Sequence, residues 1–175
     1  NEALEKCGDR EKTTVVVDPP RKGIDPVLMG YIKKALPKIE KHLLEKGVKY
    51  VIHMTKHVNQ ATEITDKLIK QGATCIVVIG GDGTLHEVIN GFSNFDKVSL
   101  GIIPCGTGND FASALGLPLD PIEALDIILE NQPKYTDFMQ MPTVRGLNVI
   151  GMGIDVDVLR RYEKKKKKKG ENKDE

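Results

Sequence analysis

Four short runs of apolar and β-branched residues, Thr13–Val17, Tyr50–Met54, Cys75–Ile79 and Val98–Ile103, are separated by stretches of helical spacing. That alternation leaves few folds open. Between the first two runs, Ile32, Leu36, Ile39 and Leu43 share one helical face. Pro37 is expected to divide this stretch into two helices, because proline fits best in a first turn. Between the second and third runs, Val58, Ala61, Ile64 and Leu68 repeat in the same way. Two more helices are predicted, about Asn109–Leu115 and Pro121–Glu130, the second with Asp120 as cap, Pro121 in the first turn and Glu123 three residues after the cap. This order implies an α/β class: a Rossmann-like parallel sheet with helices on both faces.

After Pro133 the rhythm changes. Tyr135–Met139 and Thr143–Ile150 read as strands joined by a short loop, with no crossover helix between them. They are expected to open a β-rich second domain. The predicted organisation is an α/β domain over 1–132, the incomplete start of the β-rich unit over 133–162, and a charged, disordered tail over 163–175.

Charge supports that division. The chain carries 26 basic and 25 acidic residues, and nine of the former and four of the latter fall within Arg160–Glu175. The remainder, 17 against 21, stands at −4 and shows no basic face of the kind nucleic acid requires. Cys7, Cys75 and Cys105 are odd in number and lack zinc or redox spacing, so reduced thiols in a cytoplasmic setting are expected. No apolar run reaches the length of a membrane span, and the first residues do not resemble a signal peptide.

The third run ends in Gly80-Gly81-Asp82-Gly83, after which Thr84 is expected to open a helix. A strand-to-helix turn needs one glycine at most, whereas three around an acid suit close approach by phosphate oxygens. Gly83 is expected to need positive φ for that purpose. Thr84 and Glu87 also have capping-box spacing, which accounts for both without a ligand. A second turn, Gly106-Thr107-Gly108-Asn109-Asp110, follows the fourth run. Two such turns on consecutive parallel strands open onto the same sheet edge. Neither is a Walker loop or a complete dinucleotide fingerprint, and His86–Asn90 lacks the second histidine of a zinc-protease helix.

At "GGDGTLHEVINGF" and "LGIIPCGTGNDFASALGLP" the chain resembles the catalytic domain of diacylglycerol kinases and bacterial lipid kinases, with sphingosine kinases as relatives. NAD kinases share the first turn but not the second. The resemblance, over about 33–162, implies a nucleotide-binding domain and ATP-dependent phosphorylation of a lipid hydroxyl with Mg²⁺. By the same resemblance, Thr55, Gly80, Gly81, Asp82, Gly83, Thr84, Glu87 and Thr107 belong to the nucleotide site. Asp82 would lie beside phosphates and metal, Asp110 near the lipid head group, and Asp137 behind the catalytic base. The residues alone leave other roles open: Thr55 starting a loop, Asp110 capping its helix, Asp137 solvated on a strand. The implied partner is diacylglycerol or a similar lipid, met in the cytoplasm or at a membrane surface. The alternatives are a NAD-kinase-like phosphotransferase and a nucleotide-binding remnant without turnover.

Two departures stand out. "VVVDPPRKGID" replaces the family's first nucleotide loop, and residues 7–27 resemble instead the "DPPRKG" region of RNA 5-methyluridine methyltransferases. A borrowed strand standing in for the kinase's own is expected there. The family's catalytic base lies in the β-rich domain, of which only the beginning is matched, so reduced activity is expected. Apolar residues over 147–159 are expected to lack partners, with aggregation or a homodimer as the result. For the six lysines Lys164–Lys169 a solvated tail is expected, the alternative being attraction of anionic lipid at about 1 kcal/mol each near a surface.

Overall fold

A computed structural model describes residues 13–17, 26–130, 133–151, 156, 157 and 161. Four parallel strands, β1 (Thr13–Val17), β2 (Tyr50–Met54), β3 (Cys75–Gly80) and β4 (Ser99–Pro104), form a sheet in the order β2-β1-β3-β4. The helices are α1 (Pro26–Glu45), α2 (Gln60–Lys70), α3 (Asp82–Gly91), α4 (Asp110–Ala114) and α5 (Pro121–Glu130). Every residue of β3 is buried, which explains its unbroken apolar run.

The period of two along each strand sorts the core into two layers. Val15, Val77, Ile79 and Ile103 face Ile32, Ile39 and Leu43 of α1 and Ala124 and Leu125 of α5. Val16, Ile76, Val78 and Ile102 face Ala61 and Leu68 of α2, Leu85 and Val88 of α3, and Phe111 and Ala112 of α4. Helices thus cover both faces, as the sequence pattern implies.

Pro37 does not divide α1, which runs unbroken through it. Pro37 is exposed, and the buried stripe Ile32–Ala35–Ile39–Leu43 holds both halves to the sheet. The expected strands after Pro133 shrink to two residues each, β5 (Met139–Gln140) and β6 (Arg145–Gly146), paired antiparallel. Leu147 packs against the second core layer, contrary to the expectation that this stretch lacks partners, whereas Val149 is exposed. Cysteine state also departs from expectation. Cys105 is free and buried, but Cys75 is disulfide-bonded, with its partner outside the described residues. Spacing along the chain does not reveal which Cα atoms fold to within bonding distance. The stretch "DPPRKG" and the lysine run Lys164–Lys169 lie outside the described residues. Among the described residues, no helix is long and apolar enough to cross a membrane.

Candidate functional site

Strand order puts the topological switch between β1 and β3, where chain connections leave in opposite directions and ligands of open α/β sheets bind. Register then brings the two glycine turns together. Gly80 pairs with Pro104, and Cys105 N–H donates to Gly80 O at 2.9 Å. The next residues meet backbone to backbone. A Cβ built on Gly81 would stand 2.8 Å from Gly106 Cα, and one on Gly106 would stand 2.5 Å from Gly81 Cα. Part of the glycine surplus therefore serves turn-on-turn packing rather than ligand approach. Gly80 has a further reason, since the Thr84 hydroxyl sits 2.6 Å from where its Cβ would be.

Gly83 differs. A Cβ there meets nothing within 4 Å, so its missing side chain opens onto free space. Its backbone is helical, not left-handed as expected, because α3 begins at Asp82 with Gly81 as its cap. The capping box fails for the same reason: Thr84 is already the third residue of the helix. Leu85 N–H donates to Gly81 O at 3.0 Å, and Asp82, Gly83 and Thr84 make up the first turn, at the positive end of the helix dipole.

Both acids of the α3 motif cap neighbouring helices. Asp110 N–H and Phe111 N–H donate to the Asp82 carboxylate at 3.2 and 3.3 Å, across the gap to the start of α4. Glu87 is buried and accepts from Ala61 N–H at 3.3 Å, at the start of α2. In each case the local cap, Asn109 or Asn59, is left-handed and makes no side-chain cap bond, so α3 supplies the acceptor instead. Glu87 accordingly lies inside, behind the turn.

Of the remaining expected site residues, Thr107 is exposed at the tip of the second turn and Asp110 is exposed beside it. Thr55 is buried just past the end of β2, on the same sheet edge but on the far side of β1. Asp137 is exposed on the segment before β5. The hairpin that follows it is fastened to the end of α3 remote from Asp82. Arg145 Nη1 donates to Ile89 O (3.1 Å) and Phe92 O (2.7 Å), its amide donates to Asn90 Oδ1 (2.8 Å), and its guanidinium lies 4.9 Å from the Phe95 ring centroid. Phe95 in turn stacks on Phe92 and Phe138. No sequence motif marked this junction, because its two sides, Ile89–Phe95 and Phe138–Arg145, lie far apart in the chain.

The donor set fits a nucleotide with a magnesium ion. A Cβ on Gly108 would lie 3.1 Å from Asp82 Oδ2 and 3.5 Å from Asp110 Oδ1, so both carboxylates lie beside Gly108 near the start of α3. Magnesium takes one or two carboxylates and draws its other ligands from phosphate and water. Among the described residues, no group of three His, Cys, Asp or Glu side chains forms a closed metal cage.

Residues 29–141 match the diacylglycerol kinase catalytic domain family. The chain belongs to that family. The diacylglycerol kinase catalytic domain here is 37 % identical over 122 residues to a diacylglycerol kinase of Staphylococcus saprophyticus, covering 69 % of this chain and 40 % of the relative. A diacylglycerol kinase of Staphylococcus carnosus is 33 % identical over the same length and shares of each chain. Among solved structures, a diacylglycerol kinase from Bacillus anthracis superposes with a TM-score of 0.62 at 29 % identity, covering 78 % of this chain and 46 % of that one. The chain thus spans less than half the length of these relatives. The match to the catalytic domain family starts after the "DPPRKG" stretch, and β1, just before that stretch, fills the place between β2 and β3.

Proposed function

We propose that this domain binds ATP at the sheet edge formed by the two glycine turns and serves as the nucleotide-binding part of a lipid kinase acting on diacylglycerol or a similar lipid alcohol. The observation that carries this reading is the juxtaposition of Asp82 and Asp110 about Gly108, next to the open face of Gly83. Phosphate oxygens sit at the N-terminus of α3, whose dipole adds a favourable field for negative charge. Thr107 and Thr55 contact the nucleotide from either side. A magnesium ion, when bound, neutralises charge developing on the transferred phosphoryl group. Asp82 and Asp110 are the residues that hold it.

In the transfer, the lipid hydroxyl oxygen bonds to the γ-phosphorus as the bond from that phosphorus to the β–γ bridging oxygen breaks. The hydroxyl proton passes to a base, and ADP leaves. Asp137 is proposed to support that base. Calorimetry with ATP and Mg²⁺ on the parent chain and on Asp82→Ala tests the site: heat of binding is expected for the parent and at least tenfold weaker binding for the variant. Equal heats remove Asp82 from the site. Assays of phosphate transfer to diacylglycerol, sphingosine and NAD separate a lipid kinase from a NAD-kinase-like enzyme.

A further inference from the structure

Asn109 was not among the residues expected at the site, yet it organises the second glycine turn. Its backbone is left-handed, with φ 54° and ψ 39°, a conformation that asparagine tolerates better than most residues. Its side chain is buried and folds back on the same turn. Gly106 N–H donates to Asn109 Oδ1 at 2.7 Å, and Asn109 Nδ2 donates to Gly106 O at 2.8 Å. Both hydrogen-bonding groups of the Gly106 backbone are thus met by one amide side chain. Asn109 Oδ1 is also 2.8 Å from where a Cβ on Gly106 would stand, so any larger residue at 106 would collide with the clamp as well as with Gly81. Thr107 and Gly108, held between these two anchors, remain exposed. Asp110 follows immediately, with its amide on Asp82.

The structure assigns Asn109 as a positioning residue for the nucleotide: acting through Gly106, it fixes Thr107 outward and sets Asp110 opposite Asp82. This rests on the nucleotide site proposed above. Without the Asn109 side chain the turn keeps its glycines but loses the clamp that closes it. Thr107 and the Asp82–Asp110 spacing then become variable, and a nucleotide must restore them on binding.

Asn109→Gly isolates the side chain, because glycine accepts the left-handed backbone at no steric cost. Asn109→Asp keeps an acceptor for Gly106 N–H, but sets a second carboxylate oxygen against Gly106 O and adds a negative charge beside the turn. The experiment measures ATP affinity with Mg²⁺ by calorimetry, thermal midpoint, and hydrogen exchange of the Thr107 and Gly108 amides in the free chain. Asn109→Gly is expected to remain folded, bind ATP about tenfold more weakly and exchange both amides faster. A folded Asn109→Gly with parental affinity overturns the assignment. A lower thermal midpoint with unchanged affinity well below that midpoint also overturns it, since it reports a merely structural residue. Were Asn109→Gly unfolded, Asn109→Asp decides with ATP and with uncharged adenosine: weaker binding of both supports the assignment, and parental binding of adenosine, which the added charge does not repel, ends it. A parent chain that binds no ATP refutes the nucleotide site itself, and this assignment with it. That failure is distinct from a parent that binds and a variant that binds equally.

Discussion

At the scale of single residues, the glycines of the first turn divide by what surrounds them. Gly81 and Gly106 touch through backbone atoms, which cannot move aside as a flexible side chain can. Gly106→Ala is therefore expected to destabilise the domain by about 2 kcal/mol, read as a lower urea midpoint. Gly83 faces open space on a helix. Gly83→Ala should keep or slightly raise stability, by about 0.5–1 kcal/mol, while weakening ATP binding because the added methyl stands where phosphate approaches. A variant that lost stability instead would indicate a structural glycine. Cys105 also belongs at this scale. Burial pushes its thiol up to about 12, so the reactive thiolate is scarce at neutral pH. Alkylation followed by peptide mapping should find Cys105 unmodified in the folded chain and modified after urea.

Among elements, the α1–α5 contact carries a titratable clasp. His42 Nε2 lies 2.7 Å from Asp126 Oδ1, and Lys46 Nζ lies 3.5 Å from Asp126 and 3.0 Å from Glu130. The hydrogen bond with His42 is the main cause holding the Asp126 carboxyl below its ordinary value, with Lys46 adding to it and partial burial opposing. A carboxylate whose pKa is lower when folded than unfolded contributes stability that is present above the unfolded value. That contribution is lost as pH falls through the folded value. Asp126→Asn should therefore lower the urea midpoint at pH 7 by less than about 1 kcal/mol equivalent, as expected for a partly exposed pair, and the difference should shrink as the pH falls below the ordinary carboxylate range. A difference that persists in acid would indicate packing rather than charge. The elements themselves were legible in sequence where periodicity and burial agree. Tyr50–Met54 and Pro121–Glu130 have the bounds read from the pattern, and Asp120 caps the latter through Ile122 and Glu123 N–H. Legibility failed where a distant partner decides. Pro37 stays helical because the sheet holds both sides of it. Thr84 and Glu87 make no capping box because Gly81 caps their helix and Glu87 serves α2 instead. The site residues at the turns were visible as glycines and acids, but Asn109 became visible only with its φ and its two bonds to Gly106.

For the whole molecule, the chain spans about 40 % of the length of the staphylococcal relatives. Residues 1–175 alone are expected to bind ATP yet form phosphatidic acid at least 10²-fold more slowly than a staphylococcal relative assayed beside them. A positioned general base contributes typically 10²–10⁴-fold, and none is identified within the described residues. Radiolabelled phosphatidic acid formation at matched concentrations measures this. Comparable turnover would place the base within this chain, with Asp82 the first candidate to replace.

The contact between Gly81 and Gly106 also bears on recombination. Two segments whose backbones touch at a glycine pair form one heritable block, because each turn is shaped to the other's path rather than to a side chain that can adapt. In a library of chimaeras between this chain and the Staphylococcus saprophyticus relative, crossovers between 82 and 105 split that block. Crossovers in the α1–β2 connection, between 46 and 49, leave it whole. Folded clones should therefore be depleted for the first class and retained for the second, so that the two turns travel through descent as a single unit although a helix and a strand lie between them.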